Sequence, residues 1–400
     1  MNESLKQEIL KMGEALHKET IENRHHLHQF PELSFKEFAT ATFVENTLNE
    51  IGFTNIKRIA DTGVVALLNP SKVDEKVIGL RADLDALPIQ ETNTVDYKSK
   101  HDGVMHACGH DVHTSILLTV AKILFQFKDK ITGNVKFIFQ PGEELLPGGA
   151  SVLIKESVLT NPNVDFLIAQ HVTPQIETGK IGFKKGLFMA STDEIYLTVK
   201  GKGGHAAMPD TYINPLLISS AIISKLHQFF MLDKSENTKQ IPTVLAFGKI
   251  EGMGATNVIP DVVNLAGTFR TLDETWRKKS HEFIIELAQR TALEFGGQCQ
   301  VEIRGGYPCL VNDEHITTKC INTAENILGK QNIIDLDYRM TAEDFAYFSQ
   351  VKPVCFYRLG TGNSTKNTTH NVHTSNFNID EDVLRFAPAI MACMAIDILQ

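Results

Sequence analysis

Cys108 and His110 stand two residues apart in Met105-His106-Ala107-Cys108-Gly109-His110-Asp111-Val112-His113. That spacing puts both side chains on one side of an extended segment, not on one helix face. A thiolate beside an imidazole suits zinc or a related divalent ion. A buried thiol next to a helix-capping histidine would use the same residue types, so the pair needs company. Glu143 and Glu144 adjoin in Gln140-Pro141-Gly142-Glu143-Glu144. Two carboxylates in a cleft repel unless a cation separates their roles, one binding it and the other staying free as a base. His171 ends the apolar run VDFLIAQH, and open α/β sheets gather ligands at the carboxyl ends of strands. His370 and His373 lie in a polar loop, Thr369 to Phe377, before the last helical stretch. Together, Cys108, His110, Glu144, His171 and His373 form a set of metal-ligand types. With one side chain bridging they make about six metal bonds, enough for two ions whose coordination a shared water completes to about four each. A thiolate bridges where an imidazole does not readily do so, so Cys108 is the expected bridge.

The elements that must position these residues alternate. Ser4 is expected to cap a first helix, with Leu5, Ile9, Met12 and Leu16 on one face, ending near Phe30-Pro31. Ser34-Phe35-Lys36-Glu37 fits a capping box for a second helix, which Gly52 stops. GVVALLN, VIGLRAD, NVKFIFQ and VDFLIAQH read as strands and 112–127 as a helix. Continuous apolar strands separated by helices indicate a sheet covered on both faces. The pattern changes near residue 190. DEIYLTVKG alternates, NPLLISSAIISKLHQFFML is helical, TVLAFGKI and DVVNLAGTFRT are strands, DETWRKKSHEFIIELAQRTALEF is a helix and QCQVEIRG a strand. This β-α-β-β-α-β order is the split, ferredoxin-like arrangement. The fold class is therefore α/β with two domains: 1–189 and 305–400 form a catalytic metal-binding domain, and 190–304 an inserted lid or dimerisation domain. A chain of 400 residues exceeds the size at which one core stops growing.

Composition narrows the function classes. Lys and Arg number 39 against 48 Asp and Glu, a formal net charge of −9. With no Lys/Arg cluster, this argues against a nucleic-acid protein. The run APAIMACMAIDIL at 387–399 is shorter than the ~20 residues a membrane span needs and contains Asp397, so it reads as a buried helix. No apolar leader segment opens the chain, and six cysteines without a CxxC pair read as reduced thiols of a cytoplasmic protein. The glycines around His205 match neither G-x-x-x-x-G-K-[ST] nor G-x-G-x-x-G.

The chain resembles the metal-dependent aminoacylase and carboxypeptidase family, in its branch of N-acyl-amino-acid amidohydrolases. That branch takes in hippurate hydrolases, N-acetyldiaminopimelate deacetylases and auxin-conjugate hydrolases. The resemblance runs through HQFPELSFKE at 28–37, GLRADLDALPI at 79–89, MHACGHDVHTS at 105–115, FQPGEE at 139–144 and AQHV at 169–172. It continues in GKGGHAAMP at 201–209, TNVIPD at 256–261, GTFRT at 267–271, AEDFAYF at 342–348 and VHTSNFNIDE at 372–381.

The resemblance implies hydrolysis of N-acyl, N-acetyl-type, amino acids to a carboxylic acid and a free amino acid. It implies two divalent ions, zinc or manganese with cobalt as a further choice, and a homodimer without nucleic-acid or membrane partners. Glu143 maps to the general base and Glu144 to a ligand, beside Cys108, His110, His171 and His373. One extra residue before Phe377, relative to the family's usual spacing, keeps His370 as the alternative to His373. His205 maps to a residue that holds the tetrahedral intermediate, in some relatives across a dimer interface. Asn257 and Arg270 map to residues that grip the substrate carboxylate. Arg81, Asp83 and Asp85 are expected to orient the site, Asp83 holding a ligand in place, and His106 and His113 to be structural or to flank the ligands. A dipeptidase or carboxypeptidase would share the metal core and differ in the acyl-side pocket. A binding protein derived from an enzyme would not be expected to keep Glu143.

Overall fold

The computed structural model describes residues 1–69, 75–232 and 241–400. They fall into two compact units: Met1–Gly186 with Val311–Asp337 and Tyr347–Gln400, and Leu187–Leu310 with Tyr338–Ala346. The short stretch 338–346 thus belongs to the second unit, although the sequence boundaries leave it in the first domain. Its backbone is the reason. Ala190 N donates to Arg339 O at 3.0 Å and to Thr341 O at 3.1 Å, and Arg339 bridges to Met189.

The first unit is built on an eight-stranded mixed sheet. Its spatial order is Ile56–Ile59, Gly63–Leu67, Asn134–Gln140, Val77–Asp83, Phe166–Glu177, Val354–Gly362, Ile181–Phe183 and Ile333–Asp335. The four central strands, from Asn134–Gln140 to Val354–Gly362, run parallel. Every residue of Val77–Asp83, Asn134–Gln140 and Val354–Gly362 is buried, which is why these stretches read as apolar runs without alternation. Helices His110–Gln126 and Ala387–Leu399 both pack on Val77–Asp83 and on each other. The last helix is buried along nearly all its length, so its composition reflects the core rather than a membrane.

Two local expectations fail for physical reasons. The first helical stretch is two helices, Glu3–Ala15 and His17–Gln29, and the cap is Asn2, whose side chain accepts from Leu5 N at 2.8 Å, not Ser4. Nor do Ser34 and Glu37 form a capping box. Ser34 Oγ donates to Asp85 Oδ2 at 2.6 Å, and Glu37 accepts from Phe35 N at 2.9 Å and from Gly142 N at 2.8 Å. Helix Phe38–Ile51 gets no cap bond from Glu37; the Glu32 carboxylate accepts from Ala39 N at 3.2 Å and Thr40 N at 2.8 Å instead, and the helix ends at Gly52, φ 111°. Long-range partners outbid the local motif.

The second unit carries a four-stranded antiparallel sheet in the order Thr243–Glu251, Val262–Thr271, Asp193–Lys200, Gln298–Gly305. Helices Pro215–His227 and Glu274–Glu294 supply its other layer. Strand Asp193–Lys200 buries alternate residues, Ile195, Leu197 and Val199, against Ile218, Ile222, Leu226 and Ile284. By length and composition the stretch Pro215–Leu232 could cross a membrane. Its buried residues instead form the core of this unit. All six cysteines are buried and none is in a disulfide.

Candidate metal centre

Sheet register brings the first chemistry-bearing residues level. Asp83 pairs with Gln140, and Arg81 with Ala169, two residues before His171. His171 does not end its strand, which continues to Glu177. It is nevertheless level with Asp83, the carboxyl end of the neighbouring parallel strand Val77–Asp83, and open α/β sheets place ligands at such ends.

Cys108 and His110 reach this edge through a tight turn. Gly109 caps helix His110–Gln126 at φ 87°, a left-handed conformation that favours glycine. A β-carbon there would lie 2.4 Å from Val172 Cγ2, so glycine is also needed for close approach to the His171 strand. His373 arrives from the far end of the chain at φ 63°. That is an uncommon conformation for histidine, held by a bond from its N–H to Ala107 O at 2.7 Å. The Glu143–Glu144 turn is pinned by Glu144 N donating to Asp85 Oδ2 at 2.9 Å and by Gly142 N donating to Glu37.

The donor atoms converge. Cys108 Sγ lies 3.3 Å from His171 Nε2 and 3.3 Å from His373 Nε2, and His373 Nε2 lies 3.1 Å from Glu144 Oε1. Two ligands on one tetrahedral ion, with bonds of about 2.0–2.3 Å, stand roughly 3.3–3.5 Å apart. Cys108, His110 and His171 form one group able to hold an ion, and Cys108, Glu144 and His373 another, with Cys108 in both. His110 also groups with Glu143 and Glu144. His370 is in no such group among the described residues.

Hydrogen bonding fits the imidazoles to a cation. His171 Nδ1 donates to Val172 O at 2.7 Å. His110 Nδ1 donates to Asp85 O at 2.8 Å and Asp85 Oδ1 at 3.2 Å. A neutral ring bonded this way keeps its Nε2 lone pair for a metal. Among the described residues His110 Nε2 is buried without a hydrogen-bond partner, and Glu144 Oε1 has the His373 ring nitrogen at 3.1 Å. Asp85, not Asp83, therefore holds the candidate ligand His110. Asp83 accepts from His113 Nδ1 at 2.6 Å and Arg81 Nη1 at 2.7 Å, and lies 3.7 Å from His110 Nε2. His113 in turn accepts from Val172 N at 3.0 Å.

The electrostatics favour added positive charge. Burial, followed by the carboxylates of Glu144, Glu143 and Asp83, pushes the Cys108 thiol well up. Burial pulls His110 down, but Asp83 and Asp85 outweigh it and push it up to about 10. Burial, with help from Arg358 and His113, holds His171 well below the usual range, which keeps its lone pair free of a proton. The cluster thus draws a proton onto His110 to offset surplus negative charge, a task a dication does better.

In the second unit, His205 and Asn257 lie together. His205 pairs with Val258 in a two-stranded ladder, and Ala206 N donates to Asn257 O at 3.0 Å. Arg270 lies apart from that ladder, in strand Val262–Thr271 of the four-stranded sheet. Arg270 is half-buried with no carboxylate partner among the described residues, and burial lowers its pKa. Arg339 shares all three properties and escaped sequence reasoning, because a lone arginine in a loop carries no pattern. Glu37 was visible but misread: its spacing from Ser34 mimics a cap, whereas Gly142 is 105 residues away.

Soft and nitrogen donors gathered with carboxylates at the strand ends of an α/β sheet are the working parts of a metal-dependent hydrolase, and this is the class of the protein. Comparison with known proteins narrows the class. Residues 79–397 match the profile of peptidase family M20/M25/M40, and the chain belongs to that family. It is 36% identical over 370 residues to N-acetyl-L-cysteine deacetylase of Bacillus subtilis, covering 92% of this chain and 86% of the relative. It is 34% identical over 383 residues to thermostable carboxypeptidase 2 of Saccharolobus solfataricus, covering 94% of each. The crystal structure of the Bacillus subtilis YXEP protein, described as a dinuclear metal binding peptidase from the M20 family, superposes with a TM-score of 0.83 at 32% identity, over 96% of this chain and 98% of that one.

Gly109 offers a test of the geometry. Gly109→Ala should weaken metal binding by tenfold or more, since it strains the turn by about 1–2 kcal/mol and drives a methyl into Val172. Adding Val172→Ala removes the atom it strikes and should recover part of the affinity. Metal titration of both variants checks this, and a double variant no better than the single one would exclude the steric cause.

Proposed function

We propose that the chain hydrolyses the amide bond of N-acyl, N-acetyl-type, amino acids with two divalent ions, zinc or manganese, cobalt also serving. The observation that carries this is the pair of donor groups sharing Cys108, beside a buried glutamate, Glu143, that neither Cys108-sharing group uses. The deacetylase relative supports an N-acetyl substrate. The carboxypeptidase relative favours a second reading, cleavage of a peptide bond with the same core.

Cys108, His110 and His171 would hold one ion and Cys108, Glu144 and His373 the other, with Cys108 belonging to both groups. When bound, the two ions supply Lewis acidity that polarises the amide carbonyl and acidifies water. Glu143 takes the proton of the attacking water and delivers it to the leaving nitrogen. Asp85 keeps His110 in the required tautomer, and Asp83 does the same for His113. Ala207 N donates to His205 Nδ1 at 3.1 Å, so the ring's proton resides on Nε2, ready to donate to the developing oxyanion; one such donor is worth about 3–4 kcal/mol. Arg270 and Asn257 bind the substrate carboxylate, and the lack of a carboxylate partner on Arg270 suits that task.

The second unit serves as lid and dimerisation domain. Thr243–Glu251 is an edge strand, and the exposed Ile250 within it and Met253 just after it support pairing with a second copy. Six buried thiols outside any disulfide fit a reducing, cytoplasmic setting.

Metal content and turnover measured together test the reading, on N-acetyl amino acids, hippurate, N-acetyldiaminopimelate and dipeptides, each with Zn, Mn or Co. Two metals per chain and cleavage of acylated amino acids are expected. Cleavage of dipeptides alone would favour the peptidase, and absence of metal in every condition would refute the centre. Glu143→Gln should lose nearly all turnover and keep both ions; release of metal would reverse the two glutamates. Arg270→Ala should raise KM for substrates with a free carboxylate and spare their ester-capped analogues, and an equal loss on both would remove it from carboxylate binding.

A further inference from the structure

Helix His17–Gln29 buries a polar face. Thr20, Arg24 and His28 recur every four residues and all are buried, where an amphipathic helix normally carries its apolar stripe. Arg24 divides its guanidinium among four partners: Nε donates to Asp111 Oδ2 at 3.1 Å, Nη1 to Glu381 Oε1 at 2.6 Å and to the Tyr97 hydroxyl at 3.4 Å, and Nη2 to Asn378 Oδ1 at 2.8 Å. His28 Nδ1 lies 2.8 Å from the same Asp111 oxygen, and its Nε2 lies 3.1 Å from Glu91 Oε1. Asn93 Nδ2 donates to Glu91 Oε1 at 3.0 Å and to Phe377 O at 2.9 Å. Thr92 N donates to Ser375 O at 2.8 Å.

These bonds share two destinations. Asp111 directly follows His110 at the start of its helix. Ser375, Phe377, Asn378 and Glu381 follow His373 along its loop. Two routes, one through Arg24 and one through His28, Glu91 and Asn93, therefore tie together stretches whose ends, Cys108 and His373, are 265 residues apart in sequence. His373 itself is half exposed and has a left-handed backbone, so burial does not hold it. The loop must be held from behind. A buried ionic network with its partners in place is stiff, and removing one partner leaves an uncompensated charge.

We propose that Arg24 and His28, acting through Asp111 and Glu91, are positioning residues that fix the His373 loop against the Cys108–His110 segment and so set the affinity of the metal position formed by Cys108, Glu144 and His373. The inference rests on the metal-centre reading. Neither residue touches metal or substrate; each acts through the backbone that carries a ligand.

Arg24→Met keeps much of the side chain's length and removes its fork. Apo-protein would be titrated with Zn2+ and Mn2+, and kcat, KM and thermal unfolding measured beside it. One metal equivalent should weaken by about 10–100-fold, the usual loss when a group supporting a ligand is removed. The other should bind as in the wild type. The rate should fall with occupancy at little-changed KM, and excess metal should restore it. A merely structural residue would lower the unfolding temperature and leave metal affinity alone. Asn93→Ala, on the milder second route, should weaken the same equivalent to a smaller extent, and it decides the matter if Arg24→Met does not fold. Wild-type affinity for both ions in the folded variants overturns the proposal while leaving the metal centre intact. A wild-type protein that binds no metal overturns both.

Discussion

Cys108 Sγ is 3.3 Å from each of two imidazole nitrogens, and one thiol proton cannot serve both. The Cys108 thiol and the His110 and His171 rings are stripped of water and aim lone pairs at a common space. A folded chain accepts such an arrangement only if every other polar atom of those side chains is satisfied. Much of the first unit follows from that demand. Val172 O holds His171, Asp85 holds His110, and His113 with Arg81 holds Asp83. The sheet sets these anchors level, so that one layer of backbone serves several ligands.

Where regular structure cannot deliver a donor, the chain departs from it. Gly109 and His373 both take left-handed conformations. The first lets Cys108 precede a helix that begins at His110; the second turns His373 out of its loop toward Cys108. Strain at such positions persists when surrounding bonds over-determine it. Around His373 these are its own N–H to Ala107 and the clasp from Thr92 and Asn93.

Much of this was legible in the sequence, and the failures share a cause. The strands, the main helices and the gathering of Cys108, His110, Glu144, His171 and His373 followed from residue type and local period. The misreadings were of polar residues whose partners are distant. Ser34 and Glu37 have the spacing of a cap, yet bind Asp85 and Gly142. Asp83 and Asp85 share one motif, and only the folded backbone shows that Asp85 takes the His110 hydrogen bond. RHHLH carries no period that marks Arg24 and His28 as buried; their burial depends on carboxylates from three other segments. Periodicity reports where apolar side chains go. It is silent on a buried face made of ion pairs.

The two donor groups differ in a way that gives this hidden network a purpose. Cys108, His110 and His171 are all buried, each on or beside a central element of the sheet. Glu144 is partly exposed and His373 exposed, and both stand in turns. In the proposed centre, one ion is therefore held by the core, while the other depends on how firmly two surface turns are kept in place. A hydrolase has reason to be built this way, since substrate must enter and product leave beside at least one of the ions. An open position needs ligands that solvent can reach, and ligands that solvent can reach cannot be fixed by packing. What remains is to anchor the loop that carries them through its backbone and its more buried flanks. Asn378 and Glu381, held by Arg24, and Phe377, held by Asn93, do that for His373.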